Sequence, residues 1–362
     1  MIPVTKPFLP PRAEYERYLD GIWNRNWLTN HGPLVNDLEL KLKKYLGIDH
    51  LLYLANGTLG LQIAIKALEL KGEVITTPFS YVATSSSLVW EGCQPVFVDI
   101  DPSTFNIDPS KIEAAITDNT TGIMATHVFG NPCEIERIEA IARKHNLKLI
   151  YDAAHGFGVT YNSKPLVEYG DISVLSFHAT KLYHTVEGGA VVTKQPELLK
   201  RMAYLRNFGH EGTEAFNGVG INGKNSEFHA AMGLCNLKYI DGILERYKAN
   251  YHYYLNWLSK SPELTFQKIH EGALYNYAYF PVLFESENTL KKVKAELEKH
   301  QIFPRRYFYP SLDTLEYIRE QEVPIARNIS SRILCLPMSF HYAEEELEMV
   351  CRIVLRTLKF SV

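Results

Sequence analysis

The stretch LKLIYDAAHGFG (147–158) decides the fold, together with the run ISVLSFHATK (172–181) that follows it. Each begins as a mostly apolar run and ends in polar side chains, which include Asp152 and Lys181. Strands that are apolar throughout are typical of a parallel sheet covered by helices on both faces, and ligands of such sheets bind beyond the carboxyl ends of the strands. The two stretches therefore predict a parallel sheet with a ligand site near Asp152 and Lys181.

Similar apolar runs alternate with helical segments on either side of these two stretches. The further predicted strands are EVITTP (73–78), QPVFVDI (94–100), GIMATHVF (122–129) and GGAVVT (188–193), and the predicted helices between them are YVATSSSLVWEG (81–92), DPSKIEAAI (108–116) and EIERIEAIARKHN (134–146). This alternation predicts an α/β domain with a largely parallel sheet. Upstream, four prolines in the first twelve residues predict an extended arm, and a helix is predicted over 36–46 with Asn36 as its N-cap.

The pattern changes after about residue 245. The predicted elements there are a long helix in ILERYKANYHYYLNWLSK (243–260), a strand in YAYFPVLF (277–284), and amphipathic helices in NTLKKVKAELEKH (288–300) and EEELEMVCRIVLRTLK (344–359). Pro281 indicates an edge strand or a bulge, because proline cannot donate to a sheet. A chain of 362 residues exceeds what one core usually serves, so we expect a large domain over 1–245 and a small α+β domain over 246–362.

Composition narrows the possible partners and the compartment. The formal net charge of -3 offers no electrostatic case for a nucleic acid. The five cysteines form no CxxC pair and no metal-ligand spacing, which favours reduced thiols in the cytoplasm and no metal site. There is no signal-peptide pattern and no apolar run long enough to span a bilayer, so no membrane partner is expected.

Asp152 and Lys181 each allow two interpretations when taken alone. Asp152 could cap the next helix, or it could face the pyridinium nitrogen of a cofactor and keep that ring protonated. Lys181 could be an ordinary exposed lysine. Its place after a buried strand and before a Gly-Gly pair instead suggests an amine whose pKa is lowered toward nucleophilic reactivity.

Other candidate binding residues follow predicted strands. Gly57 and Thr58 lie at a strand-to-helix turn, where free N–H groups could bind a phosphate. Neither GxGxxG nor GxxxxGK[ST] occurs in a suitable context, which disfavours a dinucleotide enzyme or a P-loop NTPase. Tyr81, with Phe79 as the second choice, could stack on an aromatic cofactor or belong to the core. Arg305, beside Arg306 and several aromatic residues, could bind a pyrophosphate and a base or form a solvated turn.

Together these residues resemble the DegT/DnrJ/StrS family of sugar aminotransferases, which are fold-type I enzymes that use pyridoxal 5′-phosphate (PLP). The likeness runs almost end to end, and the pair YDAAH and SFHATK at this spacing is highly specific for the family. Its motifs are WLTNHGPLV (27–35), NGT (56–58), TTPFSYVAT (76–84), FVDIDPSTFNID (97–108), HVFGNPCEI (127–135), YDAAHGFG (151–158), SFHATK (176–181), EGGAVVT (187–193) and GINGKNSE (220–227).

The resemblance assigns roles residue by residue. It implies that Lys181 forms the Schiff base with PLP and then moves the proton, and that Asp152 faces the pyridine nitrogen. The other roles that it implies are a phosphate cup of Ser176, Gly57 and Thr58, a stacking ring at Tyr81, a hydrogen bond from His155 where many members have glutamine, a phosphate contact from the neighbouring subunit's Asn222, and sugar-nucleotide contacts from Lys224, Arg305, Tyr307 and Tyr309.

The resemblance also implies a homodimer with shared active sites. Its substrates would be L-glutamate as amino donor and a nucleotide-linked keto-sugar as acceptor. The segments DAAH, VEGGA and GINGKNSE look most like those of enzymes that aminate dTDP-4-keto-6-deoxy-D-glucose at C4, for O-antigen or other surface polysaccharide. A 3-keto-sugar or a UDP-sugar would use the same catalytic residues. A PLP-dependent sugar dehydratase would carry histidine in place of Lys181, and a non-catalytic PLP-binding regulatory protein would not need that lysine.

Overall fold

The computed structural model describes residues 1–360 of the chain. The helices are α1 (Arg12–Arg25), α2 (Pro33–Leu46), α3 (Gly57–Ala67), α4 (Val82–Trp90), α5 (Ile135–Lys144), α6 (Pro196–Arg206), α7 (Glu227–Leu237), α8 (Ile240–Leu258), α9 (Glu287–Lys299), α10 (Pro324–Arg332) and α11 (Glu344–Lys359). The longer strands are β2 (Leu51–Leu54), β3 (Glu73–Thr76), β4 (Gln94–Phe97), β5 (Thr120–Thr126), β6 (Lys148–Asp152), β9 (Ile172–Ser176), β10 (Gly189–Val192), β13 (Leu264–Phe266), β15 (Phe280–Phe284) and β17 (Ile333–Leu336).

The remaining strands have two residues each. They are β1 (Ile2–Pro3), β7 (Thr160–Tyr161), β8 (Lys164–Pro165), β11 (His210–Glu211), β12 (Ala215–Phe216), β14 (Ala273–Leu274) and β16 (Ile302–Phe303). In the extended N-terminal arm, β1 pairs in parallel with β16, so the start of the chain is tied to its C-terminal third.

Seven strands form the central sheet in the order β2-β10-β9-β6-β5-β3-β4. The pairs from β9 to β4 are parallel, and β10 alone runs antiparallel to its two neighbours. Successive side chains of β6 point to opposite faces, so Ile150 packs in the cluster that contains α3, while Leu149 and Tyr151 pack in the cluster that contains α5. The predicted mostly parallel sheet with both faces covered is confirmed.

Three local predictions need correction. The second helix begins at Pro33, with Gly32 as its N-cap, so the assignment of Asn36 as the cap was wrong. Segment 108–116 forms two short 3₁₀ turns, Pro109–Lys111 and Glu113–Ala115, and no α-helix.

Pro281 lies in a central strand, not an edge strand. β15 is flanked by β13 and β17, but the β13 pairing covers only Val282–Phe284, so the proline lies just beyond it. A strand can therefore accept proline in the middle of a sheet where one neighbour has already ended.

The C-terminal part builds a second sheet from β13, β15 and β17, which are antiparallel. α9 and α11 contact each other, and the predicted apolar face of α11 is buried at Leu347, Val350, Val354 and Leu358. The boundary predicted between residues 245 and 246 falls inside α8, which is continuous. The division into domains 1–245 and 246–362 stays a prediction. Within residues 1–360, no helix combines the length and apolarity needed to cross a bilayer.

Candidate active site

A cavity of about 360 Å³ lies at the carboxyl ends of the parallel strands. Asp152 closes β6 and Ser176 closes β9, and the turn from β2 into α3 adds Gly57 and Thr58 to the wall. Its volume is within the range of small-molecule sites. The predicted site residues that line it are Gly57, Thr58, Tyr81, Asp152, His155, Ser176, Lys181, Arg305 and Tyr307.

Asp152 is a buried carboxylate, 5% exposed, that makes no ion pair within residues 1–360. Its Oδ2 accepts a hydrogen bond from the Thr84 hydroxyl at 2.7 Å, and its Oδ1 accepts one from the Ala154 N–H at 3.1 Å. Burial raises the pKa of Asp152, while these two hydrogen bonds and the charge of Lys181 lower it in part. Because Oδ1 accepts from the backbone N–H only two residues on, Asp152 does stabilise a turn. It also presents to the cavity a buried carboxylate that has no ion-pair partner in the described residues.

Lys181 lies on the segment between β9 and β10, and its ε-amine reaches the same cavity. Its Nζ donates to the Tyr279 hydroxyl at 3.3 Å. Burial lowers the pKa of Lys181 to about 8, the charge of Asp152 raises it, and that of Arg305 lowers it further. The hypothesis of an ordinary exposed lysine does not fit this environment. An amine with this pKa is neutral often enough near neutral pH to act as a nucleophile or a base.

The turn from β2 into α3 brings backbone N–H groups to the cavity wall. Asn56 caps α3, and its side chain accepts a hydrogen bond from the Leu59 N–H. β10 passes so close to this turn that a Cβ on Gly189 would lie 2.6 Å from the Gly57 nitrogen. Only glycine fits there, which is a structural reason for the second glycine of EGGAVVT. The free N–H groups of the first helical turn are suited to an anion.

His155 lies next to Tyr279 in the cavity wall, with 4.4 Å between ring centroids. Its Nδ1 accepts a hydrogen bond from the Phe129 N–H at 3.2 Å. Burial and the charge of Lys181 lower the pKa of His155 well below its ordinary value, so the ring is neutral. With Nδ1 as acceptor, the proton of the neutral ring is on Nε2, which makes that nitrogen a donor.

Sequence reasoning missed Tyr279, which immediately precedes β15 and contacts Lys181. The apolar run YAYFPVLF was the available signal, but such a run marks buried positions without separating core from cavity. Of the two aromatic candidates for stacking, Tyr81 lines the cavity, whereas Phe79 is fully buried against Phe105, Phe129 and Phe308.

Three predicted residues do not line the cavity of a single chain. Asn222 is exposed, and Lys224 donates to Asn207 at 2.7 Å. Tyr309 is half exposed and lies under the Arg306 guanidinium, 3.5 Å from the ring centroid. Arg306 itself pairs with Glu287, which leaves Arg305 as the arginine of that segment that faces the cavity. The roles of Asn222, Lys224 and Tyr309 stay predictions.

Comparison with known proteins agrees with this geometry. Residues 11–355 match the DegT/DnrJ/EryC1/StrS aminotransferase family, and the chain belongs to that family. The dTDP-4-amino-4,6-dideoxy-D-glucose transaminase of Shigella dysenteriae is 44% identical over 353 residues, with 96% of each chain covered. The Escherichia coli enzyme of the same name is 39% identical over 365 residues, with 98% of each covered.

Solved structures show the same fold. The crystal structure of DesI in the presence of its TDP-sugar product matches with a TM-score of 0.92 and 33% identity, covering 98% of this chain and 93% of that one. The Helicobacter pylori aminotransferase PseC matches with a TM-score of 0.91 and 25% identity, covering 99% of both chains. The predicted family and fold class are confirmed: this is an α/β aminotransferase with the fold of the PLP-dependent sugar aminotransferases.

Proposed function

We propose that this aminotransferase uses PLP to transfer the amino group of L-glutamate to C4 of dTDP-4-keto-6-deoxy-D-glucose. The main support for the proposal is that the Lys181 amine and the buried Asp152 carboxylate line the same cavity. The choice of sugar is supported by 44% and 39% identity to two enzymes named for the amino-sugar product.

The cavity fits PLP on three observations. Asp152 is a buried carboxylate without an ion-pair partner in the described residues, which suits a protonated pyridine nitrogen. The first turn of α3, with Thr58 and Ser176 beside it, offers donors for a phosphate. Lys181 supplies an amine with a pKa of about 8 for the aldehyde. When bound, PLP supplies a protonated ring that takes up the electron pair of the donor's α-carbon.

Lys181 has two tasks in this proposal. Its ε-amine would hold the cofactor by reacting with the aldehyde. When free, the same amine would act as the base that moves a proton from the donor's α-carbon. Tyr279, whose hydroxyl is 3.3 Å from Nζ, orients the amine for both tasks.

His155 and Arg305 supply the remaining polar contacts of the cavity wall. The Nε2–H of neutral His155 is suited to donate to the phenolic oxygen of the cofactor, a role that glutamine has in many relatives. Arg305, with its guanidinium carbon 4.8 Å from the centroid of the Tyr307 ring, makes no ion pair within the described residues and is suited to an anionic group of a substrate.

The oligomeric state, the use of the product and the cellular compartment are part of the same proposal. We assign Asn222, Lys224 and Tyr309 to a site completed across a homodimer, since none of the three lines the cavity of one chain. We also assign the product to O-antigen or other surface polysaccharide, and the enzyme to the cytoplasm, where its five free, buried cysteines would stay reduced.

Assays of the purified protein with PLP, glutamate and a panel of 3- and 4-keto dTDP- and UDP-sugars test this function. We expect 2-oxoglutarate release to be fastest with dTDP-4-keto-6-deoxy-D-glucose, and NMR of the product to show an amine at C4. Faster turnover of a 3-keto or UDP substrate would replace the proposed sugar. Absence of turnover with every sugar, despite bound PLP, would favour a regulatory protein.

The same preparation tests the cofactor. Lys181→Ala should abolish the near-visible absorbance of the covalently bound cofactor. Lys194→Ala, which changes an exposed lysine outside the cavity, should leave that band unchanged. An unchanged spectrum in Lys181→Ala would refute the role of this lysine.

A further inference from the structure

A row of three buried hydroxyls ends at Asp152. Thr126, at the end of β5, lies 3.1 Å from Ser80, measured between hydroxyl oxygens, and Ser80 lies 2.7 Å from Thr84 in the first turn of α4. Thr84 then donates to Asp152 Oδ2 at 2.7 Å. The three side chains are at most 3% exposed. Ser80 and Thr126 line the cavity, whereas Thr84 does not.

The ionised carboxylate sets the direction of every hydrogen bond in this row. A carboxylate only accepts, so the single hydroxyl proton of Thr84 is committed to Asp152. Ser80 must therefore donate to Thr84, and Thr126 must donate to Ser80, because each hydroxyl has one proton. All three O–H dipoles then point toward the negative charge, and such chains strengthen each member.

Protonation of Asp152 at Oδ1 would keep the direction of the row but weaken it, because a neutral carbonyl oxygen accepts less strongly than a carboxylate. Protonation at Oδ2, the oxygen that Thr84 binds, would reverse the row. The acid proton would go to Thr84, whose proton would turn to Ser80, and that of Ser80 to Thr126. Among the described residues the Thr126 hydroxyl bonds only to Ser80, so its own proton would be left without an acceptor in the protein. The arrangement therefore favours the carboxylate over the carboxylic acid at a buried position where burial alone favours the acid.

We infer that Thr126, Ser80 and Thr84 are positioning residues that hold Asp152 as an oriented anion, so that it keeps the pyridine nitrogen of bound PLP protonated. The inference rests on the proposed function, because it needs that ring in the cavity. Thr84 acts only through Asp152, since it does not reach the cavity. The three should rank by distance from the carboxylate, with Thr84 first, then Ser80, then Thr126.

The test is Thr84→Val, which keeps the shape of the side chain and removes the hydroxyl. With PLP labelled by ¹⁵N in the ring, NMR should show the pyridine nitrogen shifted toward its unprotonated position. Loss of one hydrogen bond to a charged group should weaken PLP affinity by about 10- to 100-fold. Ser80→Ala should give a smaller shift and Thr126→Val the smallest, while Thr84→Ser should restore the wild-type signal.

A matched control comes from the same helix. Ser87 is buried in α4, and its hydroxyl has no hydrogen-bond partner within residues 1–360, so Ser87→Ala should leave the ¹⁵N signal and PLP affinity unchanged. A protonated ring in Thr84→Val would overturn the inference and leave the proposed function intact. An equal loss in Ser87→Ala would also overturn it, by pointing to general packing. Wild-type protein that binds no PLP would overturn both, and if Thr84→Val fails to fold, Ser80→Ala decides.

Discussion

The ε-amine of Lys181 is under two opposite electrostatic influences, apart from burial. The charge of Asp152 raises its pKa and that of Arg305 lowers it, and burial sets the result at about 8. Below that pH the amine of the cofactor-free protein is mostly protonated, and above it mostly neutral. We therefore predict that acetylation of Lys181, followed by mass spectrometry as a function of pH, has its midpoint near pH 8.

Two variants should move this midpoint in opposite directions. Asp152→Asn removes the charge that stabilises the ammonium form, so the midpoint should fall below 8. Arg305→Gln removes the charge that destabilises it, so the midpoint should rise. Shifts in the same direction for both variants would contradict this electrostatic account.

At the residue scale, sequence reasoning found the groups that follow apolar strands. Asp152 and Lys181 were predictable because polar residues that follow a buried strand lie at the carboxyl end of the sheet, where ligands bind, whereas Ser176 was assigned only by the family resemblance. Tyr279 was not predictable, because an aromatic residue next to a strand is usually core. The role of the Thr84 hydroxyl was not predictable either, because Thr84 does not line the cavity.

At the scale of single elements, α2 depends on a residue far along the chain. The Glu227 carboxylate, fully buried, accepts hydrogen bonds from the N–H groups of Val35 at 2.9 Å and Leu34 at 3.0 Å. Gly32 leaves room for it, because a Cβ there would lie 2.4 Å from the Glu227 side chain. The wrong N-cap at Asn36 has a physical cause. Local rules search for a capping side chain within a few residues, but the N-cap Gly32 has no side chain, and the acceptor of these N–H groups is 192 residues from Val35.

We predict that Glu227→Ala lowers the free energy of unfolding by about 3 kcal/mol, because it leaves two buried N–H groups without acceptors. Glu227→Gln keeps one acceptor oxygen and should lose about 1–2 kcal/mol. Urea unfolding followed by circular dichroism measures both. Asp37→Ala, on the exposed side of α2, serves as control and should change stability by less than about 0.5 kcal/mol. A Glu227→Ala loss no larger than that of the control would contradict the capping role.

At the scale of the whole molecule, the parallel sheet was predictable but its strand order and the reversed β10 were not. Apolar runs specify burial on both faces and say nothing of direction. An antiparallel neighbour needs no crossover helix, so β10 can begin at the same end of the sheet at which β9 finishes. That return segment carries Lys181, and its direction keeps the lysine at the carboxyl end where Asp152 lies.

The predicted homodimer has a consequence for the site. Asn222 follows the β11–β12 hairpin. Phe216 in β12 is 65% exposed, and Val219, between β12 and Asn222, is 88% exposed. We expect these exposed apolar side chains to form part of the dimer contact. If Asn222 of one subunit serves the cavity of the other, a defect at Asn222 and a defect at Lys181 harm different sites when they are on different chains.

Mixing two inactive variants therefore tests shared sites. After Lys181→Ala and Asn222→Ala dimers are dissociated and reassociated, about half of the dimers are mixed, and each mixed dimer has one intact site. Steady-state assays should then recover about one quarter of the wild-type specific activity. If Asn222 served its own chain, every site would carry one defect and mixing would restore nothing. Light scattering of each variant alone, with the mass of a dimer, provides the control for association.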